Sequence, residues 1–190
     1  AFSLFSFEFR WYSLAYIFGI LAGWFLAKRF FIEDDSFKEK FDDYITFIIL
    51  GIIIGGRLGY VIFYNLDYYL VNLDEIFKIW NGGMSFHGGL LGVIVASLLY
   101  AKKYKHNSYI YLDVVSLVAP VGIFFGRIAN FINSELYGKE TNLPWGVKFE
   151  KIDEIYRHPS QLYEAFFEGL LLFFILIYFH KKASAKNPGF

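Results

Sequence analysis

Five apolar runs, most of them closed by charge, set the plan of this chain. They cover Trp11 to Ala27, Tyr44 to Tyr64, Ser85 to Ala101, Ile110 to Ile132 and Gln161 to Phe179. A helix crosses a bilayer with roughly 20 mostly apolar residues, within a range of about 17–25. Basic residues close three of the runs: Lys28-Arg29, Lys102-Lys103, and His180 followed by Lys181-Lys182. The pattern predicts an all-α fold, a polytopic integral membrane helix bundle of about five spanning helices. Residues 1–190 form a single transmembrane domain in this reading, and 134–160 a short outward-facing loop segment.

Small residues recur at four-residue spacing in two of the runs: Ala15, Gly19 and Gly23, then Gly51, Gly55 and Gly59. Such rows let helix backbones approach closely in lipid, so they predict packing seams. Pro120 is expected to kink the fourth helix. Pro159 suits the first turn of the fifth, where no intrahelical N–H is needed.

Composition narrows the function classes. The chain is 56% hydrophobic by residue, above the 45–50% or so usual for soluble domains. Net charge is zero, which removes the basic patch that nucleic-acid binding requires. Cysteine is absent, so any thiol in the chemistry comes from a substrate. The four histidines show no metal-ligand spacing, and there is no GxSxG, HExxH or P-loop. The first apolar run has its Lys-Arg pair after it, the reverse of a secretory leader.

Lysine and arginine fix an expected orientation. With five alternating spans, Lys28, Arg29, Lys38 and Lys40 share a side with Lys102, Lys103, Lys105, Lys181, Lys182 and Lys186. The other side carries Arg10, Lys78, Lys139, Lys148, Lys151 and Arg157 over longer stretches. The N-terminus is therefore expected outside and the dense basic clusters in the cytoplasm.

Ionisable residues inside a membrane are functional candidates because they are costly there. In this topology Tyr12, Arg57, His87, Arg127, Asn130, Arg157 and His158 all fall in the outer half. Arg127 and Asn130 are spaced i, i+3 and share a helix face. An arginine fork matches phosphate oxygens, and phosphate at the outer boundary means a phospholipid head group. A salt bridge to Glu135, or to an acid on another helix, explains Arg127 equally well. His87 precedes two glycines in MSFHGGLLG, where it is either a proton acceptor or a packed interfacial histidine. A transporter or channel for a polar or anionic solute would also use buried arginines, although no inverted repeat relates the halves. A structural membrane subunit would explain the glycine rows but not polar groups gathered at one depth.

Five segments in order carry a resemblance: RWYSLAY (10–16), GGRLGYVIFYN (55–65), WNGGMSFHGGLLG (80–92), GRIANFINSELYG (126–138) and RHPSQLYEA (157–165). Together they resemble the signatures of the bacterial prolipoprotein diacylglyceryl transferases. The resemblance spans nearly the whole chain. It implies multi-pass proteins of the cell inner membrane that act toward the periplasm. It implies transfer of the diacylglyceryl group of phosphatidylglycerol to the lipobox cysteine thiol of a prolipoprotein signal peptide, with release of glycerol 1-phosphate. No cofactor or metal is implied, and the partners are phosphatidylglycerol, prolipoproteins and membrane lipids. By motif match the important positions are Tyr12, His87, Arg127, Asn130, Glu135 and Gly138, with Arg57 and Arg157 inside motif stretches. Family members have seven spanning helices, and the last two carry a further important arginine. The chain ends before that region, so a fragment or incomplete member, inactive alone, is expected.

The expected roles follow. His87, Arg127, Glu135 and Tyr12 are the catalytic candidates. Arg127, Asn130, Tyr12, Gly138 and Arg57 are the phosphatidylglycerol-binding candidates. Arg127 would grip the phosphate, while Asn130 and Tyr12 orient the head group. His87 is the first choice for general base toward the thiol and Glu135 the second.

Overall fold

Each apolar run folds as helix. The structure, a computed structural model, describes residues 2–4, 7–9, 11–32 and 34–182, with side chains from Leu14 to Lys181 except Glu33. A short hairpin, β1 (Phe2–Leu4) and β2 (Phe7–Phe9), leads into α1 (Trp11–Leu26). Then come α2 (Asp35–Tyr64), α3 (Leu66–Val71), α4 (Phe86–Tyr104) and α5 (Ser108–Asn133). An antiparallel pair of two-residue strands, β3 (Val147–Lys148) and β4 (Tyr156–Arg157), precedes α6 (Ser160–Glu164) and α7 (Leu172–Lys182). A π-helical segment, Ala165–Leu171, joins α6 to α7.

Four stretches are long and apolar enough to cross a membrane among the described residues: Leu14–Phe31, Asp35–Tyr64, Ser108–Asn133 and Ser160–Lys181. The expected third span does form as α4. His87, three glycines and Lys102-Lys103 dilute its apolar run, and it falls outside that set. Lys28-Arg29 does not end the first helix, which continues as a π turn over Ala27–Phe31. Long basic side chains can reach the interface from inside a helix, so they mark the membrane boundary without breaking the backbone. The second helix starts nine residues earlier than Tyr44, because Asp34 caps it by accepting from the Phe37 amide at 2.6 Å. Pro120 lies fully buried in uninterrupted helix. Pro159 sits one residue before α6, as its N-cap.

Two compact units divide the chain, Ile32–Asp113 and Ala1–Phe31 with Val114–Pro188. In the unit of Ile32–Asp113, α2 lies against α4 along glycines. A Cβ built on Gly51 would stand 2.5 Å from the Gly92 carbonyl oxygen. One on Gly59 would stand 2.8 Å from the Gly88 Cα. Gly55 is closed off by the Gly88 carbonyl in the same way. No side chain fits there, so the two backbones touch. Away from this seam the unit closes on aromatic rings. Tyr44, Tyr100 and Tyr111 are fully buried, with the Tyr44 hydroxyl 2.8 Å from Ser97 Oγ and the Tyr100 hydroxyl donating to the Lys40 carbonyl. Phe37 meets Tyr111 edge-on at 4.8 Å. These hydroxyls are buried but partnered, as a low-dielectric interior demands.

The other unit has a looser version of the same contact. A Cβ on Gly19 would reach the Gly122 Cα at 3.2 Å, and one on Gly23 would touch Val118 at 3.5 Å. Both sequence rows of small residues therefore lie at helix contacts.

Gly55→Ala forces α2 away from α4 and is expected to cost about 1–3 kcal/mol, as overpacking does. Thermal unfolding of the purified protein in detergent should show a clearly lower midpoint. Gly122→Ala, whose Cβ meets nothing within 4 Å, should leave the midpoint in place; equal shifts for the two would refute the seam.

Candidate active site

The candidate residues fall into two groups, one in each unit. The first surrounds the end of α2 and the start of α4. Arg57 is 4% exposed, and its guanidinium is engaged by backbone carbonyls. Nε donates to Ile76 at 2.8 Å. Nη1 donates to Gly82 and Gly83, and Nη2 to Glu75 and Lys78. The Tyr69 ring covers it at 5.1 Å. An arginine with its fork filled this way organises the loop from Asn72 to Met84. The structure gives Arg57 a set of backbone carbonyl partners.

That loop is shaped to reach the arginine. Gly82 and Gly83 have φ of 83° and 84°, the left-handed region open to glycine. Gly83 also presses on the Tyr60 ring, where a Cβ would come within 2.5 Å of Cε1. Lys78 bridges Asp74 at 2.8 Å and Glu75 at 2.7 Å. Those bonds hold both carboxyls below their usual range and push the lysine up.

The chain then returns to α2. The Ser85 amide donates to the Gly56 carbonyl at 2.9 Å, and Ser85 Oγ caps α4 by accepting from the Gly88 amide. His87 follows one residue later. It is exposed and lines a shallow cleft with Phe63, Tyr64 and Ser85. His87 is next to Gly88, which packs on Gly55 and Gly59, so the backbone contact of α2 and α4 fixes where the start of α4 stands.

The second group lies at the end of α5. Arg127 Nε is 2.8 Å from Glu164 Oε2, and Nη2 is 3.6 Å from Glu168 Oε2. The acid facing Arg127 is thus on the α6 segment, and Glu168 follows in the π-helical turn. Single π turns often accompany functional positions, because they redirect side chains within a helix. The Arg127 side chain is 29% exposed. Asn130, one turn along, is 7% exposed.

Helix α5 closes with two crossed bonds. The Ser134 amide donates to the Phe131 carbonyl at 3.0 Å, and the Glu135 amide to the Asn130 carbonyl at 2.9 Å. This is a Schellman closure, which usually has glycine at the left-handed position. Here Ser134 takes it at φ 62°, and Leu136 follows at 53°. Each such residue costs on the order of 1–2 kcal/mol. The strain is held from outside. Gln161 Nε2 donates to the Glu135 carbonyl at 2.5 Å, and Ser160 Oγ to the Leu136 carbonyl at 2.9 Å. Gln161 is fully buried, and its Oε1 has no hydrogen-bond partner among the described residues.

Gly138 closes this corner. Its amide donates to the His158 carbonyl at 2.9 Å, and a Cβ there would collide with His158. Arg157 pairs with Asp153 at 2.6 Å and lies over the Tyr137 ring. His158 Nδ1 and Trp145 Nε1 both lie within hydrogen-bond distance of the Tyr163 hydroxyl.

The first unit thus gathers Arg57 and His87, and the second gathers Arg127, Asn130, Glu135 and Gly138. Tyr12 belongs to α1, but its side chain lies outside the described residues. Glu164, Glu168 and Gln161 were not picked out as site residues from the sequence. Two carboxylates four apart inside an apolar run were the available signal. Among the described residues, no group of three or more His, Asp or Glu could hold a metal.

The Asp153 carboxyl is held below the usual carboxylate range by the Arg157 guanidinium. Its contribution is complete above the ordinary aspartate value of about 3.9 and is lost as pH falls through the lower folded value. Amide protection factors at Thr141 and His158, which pair with this hairpin, should be level from pH 8 to 5 and drop below about 3.9. In Asp153→Asn they should already be reduced at pH 7; unchanged protection there would show that the pair does not hold the loop.

The profile of the prolipoprotein diacylglyceryl transferase family matches residues 1–190. The chain is 52% identical to a phosphatidylglycerol–prolipoprotein diacylglyceryl transferase of Rickettsia canadensis (strain McKiel), over 93% of this chain and 69% of the relative. It is 51% identical to one of Nitratidesulfovibrio vulgaris (strain DP4), over 95% of this chain and 68% of the relative. A third, from Rickettsia typhi, is 51% identical over 93% and 69%. With its apolar helices and a match along its whole length, the chain is a multi-pass helical membrane protein and belongs to the prolipoprotein diacylglyceryl transferase family.

Proposed function

We infer that this protein transfers the diacylglyceryl group of phosphatidylglycerol to the cysteine thiol of a prolipoprotein lipobox. The cysteine sulfur attacks C3 of the diacylglyceryl glycerol. The C3–O bond to phosphate breaks, and glycerol 1-phosphate leaves with that electron pair. The thiol proton passes to a base and then to the released phosphate or to solvent. The product is a thioether. Family membership and relatives of about 50% identity support this reading. The observation that carries it in the structure is Arg127, braced on its Nε edge by Glu164 at 2.8 Å and partly open elsewhere.

That brace suits a leaving phosphate. A guanidinium fixed on one edge keeps its direction while its terminal nitrogens meet the oxygens. Charge develops on the phosphate in the transition state, and a donor already in place stabilises it without reorganising. Glu168, more distant at 3.6 Å, is the partner that the phosphate replaces. Asn130 and Tyr12 orient the head group. Gly138 lets the chain after Glu135 lie close to His158.

His87 is the proposed base toward the thiol, from its cleft at the start of α4, with Glu135 as second choice. A thiol titrates near 8.5, so a base or a positive field raises its reactive fraction. Arg57 serves the reaction through the loop that it holds. In keeping with the lysine and arginine distribution, we place the protein in the bacterial inner membrane. Its N-terminus and active site face outward, and 134–160 forms an outward loop.

Arg127→Lys keeps the charge and loses the fork. With the full-length protein, phosphatidylglycerol vesicles and a lipobox peptide, kcat should fall about 10²–10³-fold, the scale of a lost oxyanion donor. Mass analysis should show diacylglyceryl on the cysteine of the wild-type reaction. Normal turnover by the lysine variant would exclude the phosphate grip. No mass gain from a folded wild-type protein would exclude the transferase reading.

A further inference from the structure

We propose that Gln161 is a positioning residue that sets the direction of the Glu135 carboxylate by holding its backbone. This rests on the reading above, in which Glu135 takes part in the reaction.

Three observations converge. The turn Ser134–Glu135–Leu136 has a left-handed residue on each side of Glu135, and neither is glycine. Strained backbone of this kind persists only where its surroundings over-determine it. The surroundings here are two adjacent side chains, Ser160 and Gln161, bonded to the Leu136 and Glu135 carbonyls.

The third observation is that Gln161 Oε1 has no partner among the described residues. A fully buried amide with one end unsatisfied is a poor way to fill space, since an apolar side chain of equal size would avoid the penalty. Packing alone does not explain an amide at this position. Its Nε2 does, because that donor holds the one carbonyl between the two strained residues. Gln161 and Glu164 are also i, i+3 on one short helix. The helix that braces Arg127 therefore also anchors the Glu135 turn, so both groups take their position from the same backbone.

Gln161→Met keeps the length and apolar volume and removes the donor. The experiment measures kcat and KM of the full-length protein with phosphatidylglycerol vesicles and a lipobox peptide. It compares wild type, Gln161→Met, Glu135→Gln and the double variant, with thermal midpoints alongside. Gln161→Met should lower kcat about tenfold, with KM for phosphatidylglycerol within about twofold, the split expected when only the transition state is affected. In the Glu135→Gln background the same change should cost less than about twofold, because the two act as one unit. An equal loss in both backgrounds, or wild-type kcat in Gln161→Met beside a slow Glu135→Gln, overturns this inference and leaves the role of Glu135 standing. Wild-type kcat in Glu135→Gln beside a slow Gln161→Met removes Glu135 from the reaction and the proposed linkage with it. A Gln161→Met protein with a much lower midpoint and raised KM would assign Gln161 to folding and overturn the positioning role.

Discussion

The contact of α2 with α4 through bare backbone is the constraint from which the rest of its unit follows. Lipid gives no hydrophobic reward for bringing two helices together, so close packing has to do it. Gly51, Gly55 and Gly59 on one helix meet Gly88 and Gly92 on the other with no room for a methyl group. Once the axes are this near, the connection between the helices must fold back over their shared end. Arg57 lies inside that glycine row and gathers the returning loop by its carbonyls. Ser85 then bonds Gly56 and starts α4, and His87 is delivered to a fixed place. Seam, arginine, loop and histidine form one causal sequence.

Two arginines within apolar helices meet opposite fates for an electrostatic reason. Arg57 is surrounded by neutral carbonyl dipoles, which fill its donors without cancelling its charge. Five such contacts can hold a buried cation. Arg127 meets carboxylates, which cancel charge but take only part of its edge. A pair of this kind is open to exchange, since an incoming phosphate brings the negative charge that a departing carboxylate removes. The desolvation cost is shared between partners in either state. The phosphate grip proposed for Arg127 uses the second environment.

What the sequence disclosed follows from how local each feature is. The apolar runs and the four-residue glycine rows are periodic within one helix, and both lead to the right elements. Ends were less legible. Lys28-Arg29 mark a boundary for charge but not for backbone hydrogen bonding, and the helix runs past them to Phe31. The start of α2 depended on Asp34, a cap set among several acidic neighbours that hid it. For Arg127 the alternatives are a phosphate, Glu135 and an acid on another helix, and the pairing with Glu164 crosses 37 residues of sequence. No local pattern holds such a pair. The π-helical turn at Ala165–Leu171, which carries Glu168, has no compositional mark either. The partners of Arg57 are hidden from the sequence for a related reason. They are carbonyls, which every residue owns and no side chain announces.

The end of α5 shows why such features escape a reading by residue type. A helix that closes with a Schellman turn normally takes glycine where Ser134 stands. Glycine would relieve the strain, but it would also widen the freedom of the next residue, Glu135. A serine followed by a leucine, both held left-handed, narrows that freedom, and Ser160 and Gln161 supply the restraint from α6. The motif GRIANFINSELYG therefore joins two requirements. In the proposed reaction its arginine stays available to a phosphate and its glutamate keeps the direction of its backbone. Both are met by α6, through Glu164 for the arginine and Gln161 for the glutamate. The two stretches are separate in sequence, but neither geometry is complete without the other.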